Sequence, residues 1–300
     1  MENNNVYQMV TDRIIKEMEK GIIPWQKPWH STGNRLVSHT TGKPYSWLNQ
    51  LLLGFKAGEY ITFNQCKAEG GSVKAGEKAS FVVFWTFPEK TIKEIDEDGK
   101  EVTRRIQSQH PILKYYNVFH IDQCQGIKAK HPEMLAQVNQ HHDPIKEAEN
   151  IVDIYFARET CTLDIDNNDG ACYSPTLDRV SVPQMGQYDN VAGYYSTLFH
   201  EMTHSTGHKS RLDRLSKTAR FGSQEYSREE LVAEIGAAYL MQHAGIENGE
   251  AFKNSVGYLQ GWMKALKNDP KMIVVAAGKA EAAAEFILTG KKPNFKKNNK

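Results

Sequence analysis

The chain has 300 residues, of which 37 are Lys or Arg and 36 are Asp or Glu, so its formal net charge is +1. A hydrophobic fraction of 40% and a charged fraction of 24% are ordinary for a globular protein and exclude wholesale disorder. A chain of this length forms one large domain or, more often, two. No apolar run approaches the roughly 20 residues of a membrane-spanning helix. The first residues also lack the basic and apolar regions of a secretory signal.

The cysteines are few and widely spaced, and no two of them form a CxxC pair. They are Cys66, Cys124, Cys161 and Cys172. This spacing predicts neither a disulfide framework nor a cysteine-based zinc site. Reduced thiols predict a cytoplasmic protein. The lack of a long apolar run predicts that it has no membrane partner.

The first half of the chain alternates between helical and strand-like patterns. Apolar residues at helical spacing predict a helix over residues 5–20 and a second one over 46–56, with a loop between them. Aromatic and β-branched residues predict strands at 81–85 and 112–121. The acidic sequence Asp96–Gly99 is typical of a hairpin tip between two polar arms. This half is therefore predicted to be a mixed α/β domain with an antiparallel sheet.

The second half is predicted to be mostly helical. A polar stretch without clear periodicity, residues 127–143, marks the expected domain boundary. The predicted elements after it are helices at 144–158, 190–206 and 227–243, a short strand at 179–182 and a helical C-terminal region. Residues 291–300 are basic and are expected to be a flexible tail. Both halves together predict the α+β class.

The most informative motif is His200-Glu201-Met202-Thr203-His204. Residues four apart lie on one face of a helix, so both imidazoles could bind one metal ion. Glu201 lies beside them, where a carboxylate could accept a proton from water that zinc acidifies. This is the HExxH pattern of zinc peptidases. Apolar residues around the motif predict that the helix is packed against a core, and Gly207 is a stop signal.

A catalytic zinc ion usually has a third protein ligand. The metzincin spacing would require a histidine where the chain has Ser210, so that class is excluded. His208 follows Gly207 and is better explained as a surface residue. By analogy with zinc peptidases that use a glutamate on a second helix, Glu230 is expected to bind the metal and Glu234 to orient a ligand imidazole. Alternatively, Glu230 closes a capping box that begins at Ser227, and Glu234 is then the ligand.

The segment before the motif, from Tyr173 to Pro183, contains a short strand. Zinc peptidases commonly place an edge strand above the metal, and an extended substrate pairs with it. Pro183 suits an edge strand or a strand end. An ordinary structural strand explains the pattern equally well.

Aromatic and basic residues are interleaved in the first half of the chain. Single-stranded DNA is bound by such surfaces, because bases stack on the rings while Lys or Arg neutralises phosphates. Tryptophan in a small domain is, however, more often part of the core. The candidate DNA-binding residues are Trp25, Lys27, Trp29, Lys43, Tyr45 and Lys78.

Several short motifs in this order make the chain resemble the ArdC-type antirestriction proteins of plasmids and other mobile elements. They are Gly21–Trp29, Thr41–Ser46 with Asn49, Gly76–Lys78, Tyr116–Phe119, Thr197–His208 with Arg211 and Leu212, and Glu230–Glu234. They extend over nearly the whole chain except the tail. One departure is Trp47, where the family tends to have a small residue, and no DNA contact is transferred to it.

The resemblance implies a single-stranded DNA-binding domain at residues 1–130 and a zincin-like metallopeptidase domain at 144–290. It also implies that the protein protects transferred DNA from host restriction. The leading hypothesis is an enzyme in which His200, His204 and Glu230 hold Zn²⁺ and Glu201 is the general base. Mn²⁺ fits the same ligands. The partners would be single-stranded DNA and either a protein substrate or a component of a restriction system.

Two alternatives remain open at this point. In the first, the protein shields single-stranded DNA without catalysis, and its metal site is structural or vestigial. In the second, it blocks a restriction enzyme by binding it without cutting.

Overall fold

The structure is a computed structural model, and it describes residues 2–20, 23–24, 36–95, 101–108, 110–132, 144–166, 170–215, 224–246 and 256–292. The α-helices in these ranges are α1 (Glu2–Met18), α2 (Trp47–Leu52), α3 (Phe63–Ala68), α4 (Pro144–Arg158), α5 (Val191–Ser205), α6 (Gln224–Ala244), α7 (Val256–Asn268) and α8 (Met272–Thr289). The β-strands are β1 (Leu36–Ser38), β2 (Gly58–Ile61), β3 (Ser72–Val73), β4 (Ser80–Thr86), β5 (Glu89–Ile95), β6 (Glu101–Gln107), β7 (Ile112–His120), β8 (Cys124–Gln125), β9 (Thr162–Asp166), β10 (Cys172–Ser174) and β11 (Arg179–Pro183). Among the described helices, none combines the length and the hydropathy that a membrane span requires.

The first half of the chain is built on a four-stranded sheet with the order β1-β2-β7-β4. Its longest pairing is antiparallel and joins β4 to residues 112–118 of β7, which confirms the predicted sheet. Strand β1 pairs with β2 in parallel, and the sequence did not predict either strand. Strands of three and four residues are too short to show an alternating pattern.

A long hairpin interrupts the chain between β4 and β7. Its arms, β5 and β6, pair in antiparallel register from Glu89 opposite Gln107 to Ile95 opposite Glu101. The two predicted polar arms are therefore confirmed. The predicted tip, Asp96–Gly99, lies outside the described residues.

Three helices of the second half match the predicted bounds within three residues at each end, and α7 and α8 form the helical C-terminal region that was predicted without bounds. Helix α4 has the predicted bounds, and α5 and α6 correspond to the predictions 190–206 and 227–243. A small sheet with the order β10-β11-β9 precedes α5, and β11 is the strand that was predicted at 179–182. The α+β class is confirmed.

Helices α5 and α6 pack very closely against each other. A Cβ atom added to Gly236 would lie 2.5 Å from the Cγ2 atom of Thr203, so only glycine permits this approach. Thr203 itself is fully buried. The close crossing brings the first turns of α6 against the part of α5 that carries the HExxH motif.

One apolar core joins the two halves of the chain. Val10 and Ile14 of α1 and Trp47 of α2 belong to the same buried cluster as Leu266 of α7 and Ile273 of α8. Polar contacts cross the same interface, since the Trp47 amide donates to a Glu281 carboxylate oxygen at 3.2 Å. The domain boundary remains a prediction, because residues 133–143 lie outside the described part of the chain.

Candidate metal centre

Helix α5 presents the HExxH motif on a face that points toward α6. Asn190 caps the helix, and its side-chain oxygen accepts a hydrogen bond from the Gly193 amide at 2.8 Å. The opposite side of α5 is apolar and buried, with Leu198, Phe199 and Met202 in the core. Burial of that side fixes the rotation of the helix and thus the direction of the motif.

Three of the predicted metal-binding side chains lie together. Each of His200, His204 and Glu230 offers one ligand atom, and these atoms all lie within 4.8 Å of one another. The two Nε2 atoms are 3.1 Å apart, and each is 3.5 Å from a Glu230 carboxylate oxygen. Two imidazoles and one carboxylate are the donor set of catalytic zinc sites, which leave a further coordination position open. The residues present therefore fit a divalent cation.

Glu234 and His208 are placed differently from these three side chains. Glu234 acts on His200 through its charge. Burial of the His200 imidazole opposes its charged form and lowers its pKa. The negative charges of Glu230, Glu234 and Glu201 outweigh burial and raise the pKa of His200. His208 lies past the end of α5, and its Nδ1 atom contacts the Ser210 hydroxyl at 2.8 Å. Neither residue belongs to the cluster of ligand atoms found among the described residues.

Glu201 lies next to the cluster and is almost completely buried, with 8% of its surface exposed. Burial raises the pKa of its carboxyl group, while His200 and His204 act in the opposite direction. The backbone amide of Tyr173, in β10, donates a hydrogen bond to this carboxylate. A buried carboxylate with a raised pKa is a better proton acceptor than an exposed one.

The sequence analysis missed the residue that contacts the other ring nitrogen of His204. Glu229 lies 3.2 Å from Nδ1 of His204, and Arg214 binds the same carboxylate at 2.9 Å. Arg214 is itself held by the Thr203 carbonyl and the Thr206 hydroxyl. If the Nδ1 proton points to Glu229, the Nε2 lone pair of His204 points into the cluster.

The sequence contained a weak signal for this contact. Glu229 directly precedes Glu230, so the two carboxylates point in directions about 100° apart on α6. One can therefore reach the metal-facing side of the histidine pair while the other reaches Nδ1 of His204. Burial raises the pKa of Glu229, but His204 and Arg214 outweigh burial and hold it below its ordinary value.

Tyr226 is a second residue that the sequence analysis did not single out. It lies one turn before Glu230 on α6, and its hydroxyl donates a hydrogen bond to the Glu230 carboxylate. Burial and this carboxylate raise the pKa of Tyr226. The hydroxyl therefore remains protonated at neutral pH and holds Glu230 in place.

The edge strand beside the motif is β10 rather than the predicted strand β11. Strand β11 lies in the middle of the small sheet, whereas β10 pairs with β11 alone among the described strands. The hairpin that joins them is fixed by Asp178, which accepts hydrogen bonds from Arg211 and from the Tyr173 hydroxyl. This network sets the position of the Tyr173 amide that contacts Glu201.

The Asp178 network predicts a dependence of stability on pH. Burial raises the pKa of Asp178, but hydrogen bonds from Arg211 and Tyr173 lower it to about 2. Its stabilising effect is thus complete above the unfolded-state pKa of about 3.9 and is lost as the pH falls through about 2. We expect Asp178→Asn to lower the free energy of unfolding by about 2 kcal/mol at pH 7, and by much less near pH 2.

Urea unfolding of the wild type and the variant at both pH values measures this effect. Asn is the suitable replacement because residue 178 has a φ of 48°, which Asn tolerates. Asp164→Asn is the control, since the Asp164–Arg179 pair is exposed at the surface and contributes at most about 1 kcal/mol. A difference for Asp178→Asn that stays constant from pH 7 to pH 2 would contradict the assignment.

The predicted DNA-binding residues divide into three groups. Trp25, Lys27 and Trp29 lie outside the described residues, and their role stays a prediction. Lys43 and Lys78 are exposed, as a phosphate contact requires.

Tyr45 does not match its predicted role, because its ring is buried and only 7% exposed. It packs against the rings of Tyr60 and Phe84 at centroid distances of 6.0 and 6.3 Å. Its neighbour Trp47 is also part of the core. We therefore assign Tyr45 to the core, where no base can stack on it.

Two family models match the chain in succession. Residues 4–119 match the N-terminal domain of the anti-restriction factor ArdC. Residues 150–279 match the zincin-like metallopeptidase model, and this range includes the HExxH motif and Glu230. The fold and the site thus define a protein that joins an ArdC-type N-terminal region to a zincin-like region.

Solved structures give the same result over most of the chain. The metal-free structure of the antirestriction protein ArdC from plasmid R388 is 36% identical with a TM-score of 0.65, and the Mn(II)-bound structure is 33% identical with a TM-score of 0.68. Each comparison covers 94% of this chain and 96% of the other. The chain belongs to the ArdC-type antirestriction family, as its sequence motifs indicated.

Two of the curated relatives are much longer proteins that contain a region similar to this chain, and a third is of similar length. A DNA primase TraC of Escherichia coli is 33% identical over 296 residues, which is 94% of this chain but 27% of that protein. A second TraC of Escherichia coli is 31% identical, and the chain spans 20% of its length. The protein y4eC of Sinorhizobium fredii is 31% identical, and the chain covers 91% of it.

Proposed function

We propose that the protein is a metal-dependent peptidase of the antirestriction class that also binds single-stranded DNA. The proposed peptidase activity rests on one observation. His200, His204 and Glu230 converge, and the buried Glu201 lies beside them. The match of residues 150–279 to zincin-like metallopeptidases supports it. The geometry favours Glu230 over Glu234 as the third ligand.

Each side chain of the site has a distinct task in this proposal. His200, His204 and Glu230 would hold a divalent cation, which would acidify water and polarise the carbonyl group of a peptide bond. Glu201 accepts the proton of the attacking water and delivers it to the leaving amine nitrogen. Glu229 and Tyr226 orient His204 and Glu230, and the edge of β10 that faces away from β11 pairs with an extended substrate.

The metal is proposed to be Zn²⁺ or Mn²⁺. Zinc is the usual ion of sites with two histidines and one carboxylate. Manganese also accepts nitrogen and oxygen ligands, and the R388 relative has an Mn(II)-bound structure.

The DNA-binding part of the proposal concerns residues 1–130. It is supported by the match of residues 4–119 to the N-terminal domain of ArdC and by the exposed Lys43 and Lys78. Binding to incoming DNA would bring the peptidase, at residues 144–290, to proteins that attack this DNA. The protein substrate is then a component of the restriction system or another protein on the transferred strand.

Metal content tests the proposed site directly. We expect about one equivalent of metal in the wild type by elemental analysis, as for a single catalytic site. His204→Ala and Glu230→Ala should lose it, because each removes a ligand. Glu234→Ala is the matched control on the same helix and should keep it. Wild-type protein without stoichiometric metal would refute the peptidase, and loss of metal in Glu234→Ala but not in Glu230→Ala would exchange their roles.

A further inference from the structure

Two aromatic rings lie in contact on the surface of the first-half sheet. Phe84 of β4 is 43% exposed and Tyr116 of β7 is 42% exposed. Their ring centroids are 5.9 Å apart with an interplanar angle of 61°. Exposed aromatic rings leave apolar surface in water, and a pair of them marks a surface that binds another molecule more often than a single ring does.

The register of the strands places a positive charge beside the two rings. Lys114 lies directly opposite Phe84, and Tyr116 lies opposite Val82, so these side chains share one face of the sheet. Lys114 is exposed. The β4 and β7 positions that pair with each other on this face are Ser80, Val82, Phe84, Thr86, Ile112, Lys114, Tyr116 and Val118. None of these positions is acidic.

The inner end of the same face fixes the rings in position. Val82 and Val118 are buried there with Tyr45, whose ring contacts Phe84 at 6.3 Å. The rings are therefore held in place before any ligand arrives, which lowers the entropy cost of binding.

The opposite face of the same two strands has another role. Val83 and Leu113 on that face belong to the core that includes α1, and the Trp85 ring lies 6.3 Å from the ring of Tyr7 in α1. Tyr115 is 44% exposed on this side. Tyr115 is thus a tyrosine next to Tyr116 with a similar exposed fraction, and its side chain lies on the other face of the sheet.

We infer that Phe84, Lys114 and Tyr116 form a stacking surface for unpaired bases of single-stranded DNA. The inference rests on the DNA binding proposed above and gives that binding a location. Bases stack on rings without regard to sequence, and a lysine beside the rings neutralises a phosphate of the bound strand. A duplex offers no free base faces and does not use this surface.

Fluorescence anisotropy with a labelled 20-nucleotide oligothymidine at low salt tests the inference on the full chain. We expect Phe84→Ala and Tyr116→Ala each to raise the Kd about ten-fold, because each removes a stacking ring. Tyr116→Phe keeps the ring and should bind as the wild type does. Tyr115→Ala is the matched control and should also bind normally. Binding of a duplex of equal length should be the same in all four variants.

Lys114→Gln provides an independent measurement that leaves both rings in place. Loss of one phosphate contact should reduce the slope of log Kd against log salt by about 0.7 for a single strand. Thermal unfolding of every variant checks that the fold is retained, which the exposure of all four side chains favours.

The outcomes separate this inference from the proposed function. If the wild type binds single-stranded DNA and Phe84→Ala and Tyr116→Ala bind it with unchanged affinity, the proposed stacking surface is wrong. The DNA-binding site then lies elsewhere on the chain. Equal losses in Tyr115→Ala and Tyr116→Ala would overturn it as well, since the effect would not belong to one face. Absence of binding in the wild type would overturn both the surface and the DNA-binding half of the proposed function.

Discussion

Replacing Glu201 with Gln should lower peptide cleavage by about 10²- to 10⁴-fold, the range of general acid–base catalysis. The amide has nearly the shape of the carboxylate but cannot accept a proton from water. Because none of the three proposed ligands is changed, the variant should retain about one equivalent of metal. Release of fluorescent peptides from labelled casein measures the rate, and elemental analysis measures the metal.

The pH profile of the wild type provides a second test of Glu201. A general base must be ionised, so cleavage should rise with pH as Glu201 loses its proton. Burial raises the pKa of Glu201, whereas the charge of a bound cation lowers it, so the acidic limb of kcat/KM is read on the metal-loaded protein and should be absent from the residual activity of Glu201→Gln.

Biological protection decides whether cleavage matters for antirestriction. DNA transfer into a restricting host should lose its protection when the Glu201→Gln protein replaces the wild type. Full protection by this variant would refute the enzymatic account, even if cleavage of casein is lost. The protein would then act by shielding DNA or by blocking a partner.

Replacing Glu229 with Gln should weaken metal binding by about 10- to 100-fold, the usual effect of losing a carboxylate that orients a ligand histidine. The carboxylate contacts Nδ1 of His204 at 3.2 Å. The amide lacks its charge and holds the imidazole less firmly. Arg214 also loses its ionised partner, and this loss is costly because only 5% of the Arg214 side chain is exposed.

Competition with a chelating dye measures the affinity of wild type and variant for Zn²⁺ and Mn²⁺. Glu225→Gln is the matched control, because it removes the same charge from the first turn of α6 at an exposed position. We expect no change in this control. An equal loss of affinity in both variants would show a general effect of charge, whereas unchanged affinity in Glu229→Gln would exclude a positioning role.

The candidate site could be predicted from the sequence to the extent that it depends on local geometry. The four-residue spacing of His200 and His204 requires only a helix, and apolar residues around the motif predict one. The same reasoning predicts the helix of Glu230, but it cannot choose between Glu230 and Glu234. That choice depends on where α5 and α6 cross, and the close approach of Gly236 to Thr203 sets this point.

Contacts between distant parts of the chain explain the remaining differences. Tyr45 follows a lysine and a proline, so its surroundings in the sequence are typical of an exposed loop. In the structure Tyr60 and Phe84 cover it, and neither lies near it along the chain. The contact of Glu229 with Arg214 and His204 likewise joins three segments. Periodicity describes one element at a time and does not contain such information.

The packing of α1 against α7 and α8 has a consequence for how the protein is made. Thr11 bonds the carbonyl oxygen of Pro270, which lies 259 positions later in the chain. During synthesis, α1 can pack against Trp47, Val83 and Leu113 early, but its contacts with α7 and α8 form only after those helices have left the ribosome. Contacts of such long sequence separation form slowly and leave apolar surface open to chaperones and to aggregation. Helix α1 thus reaches its complete native environment only after residues some 259 positions later in the chain have been translated.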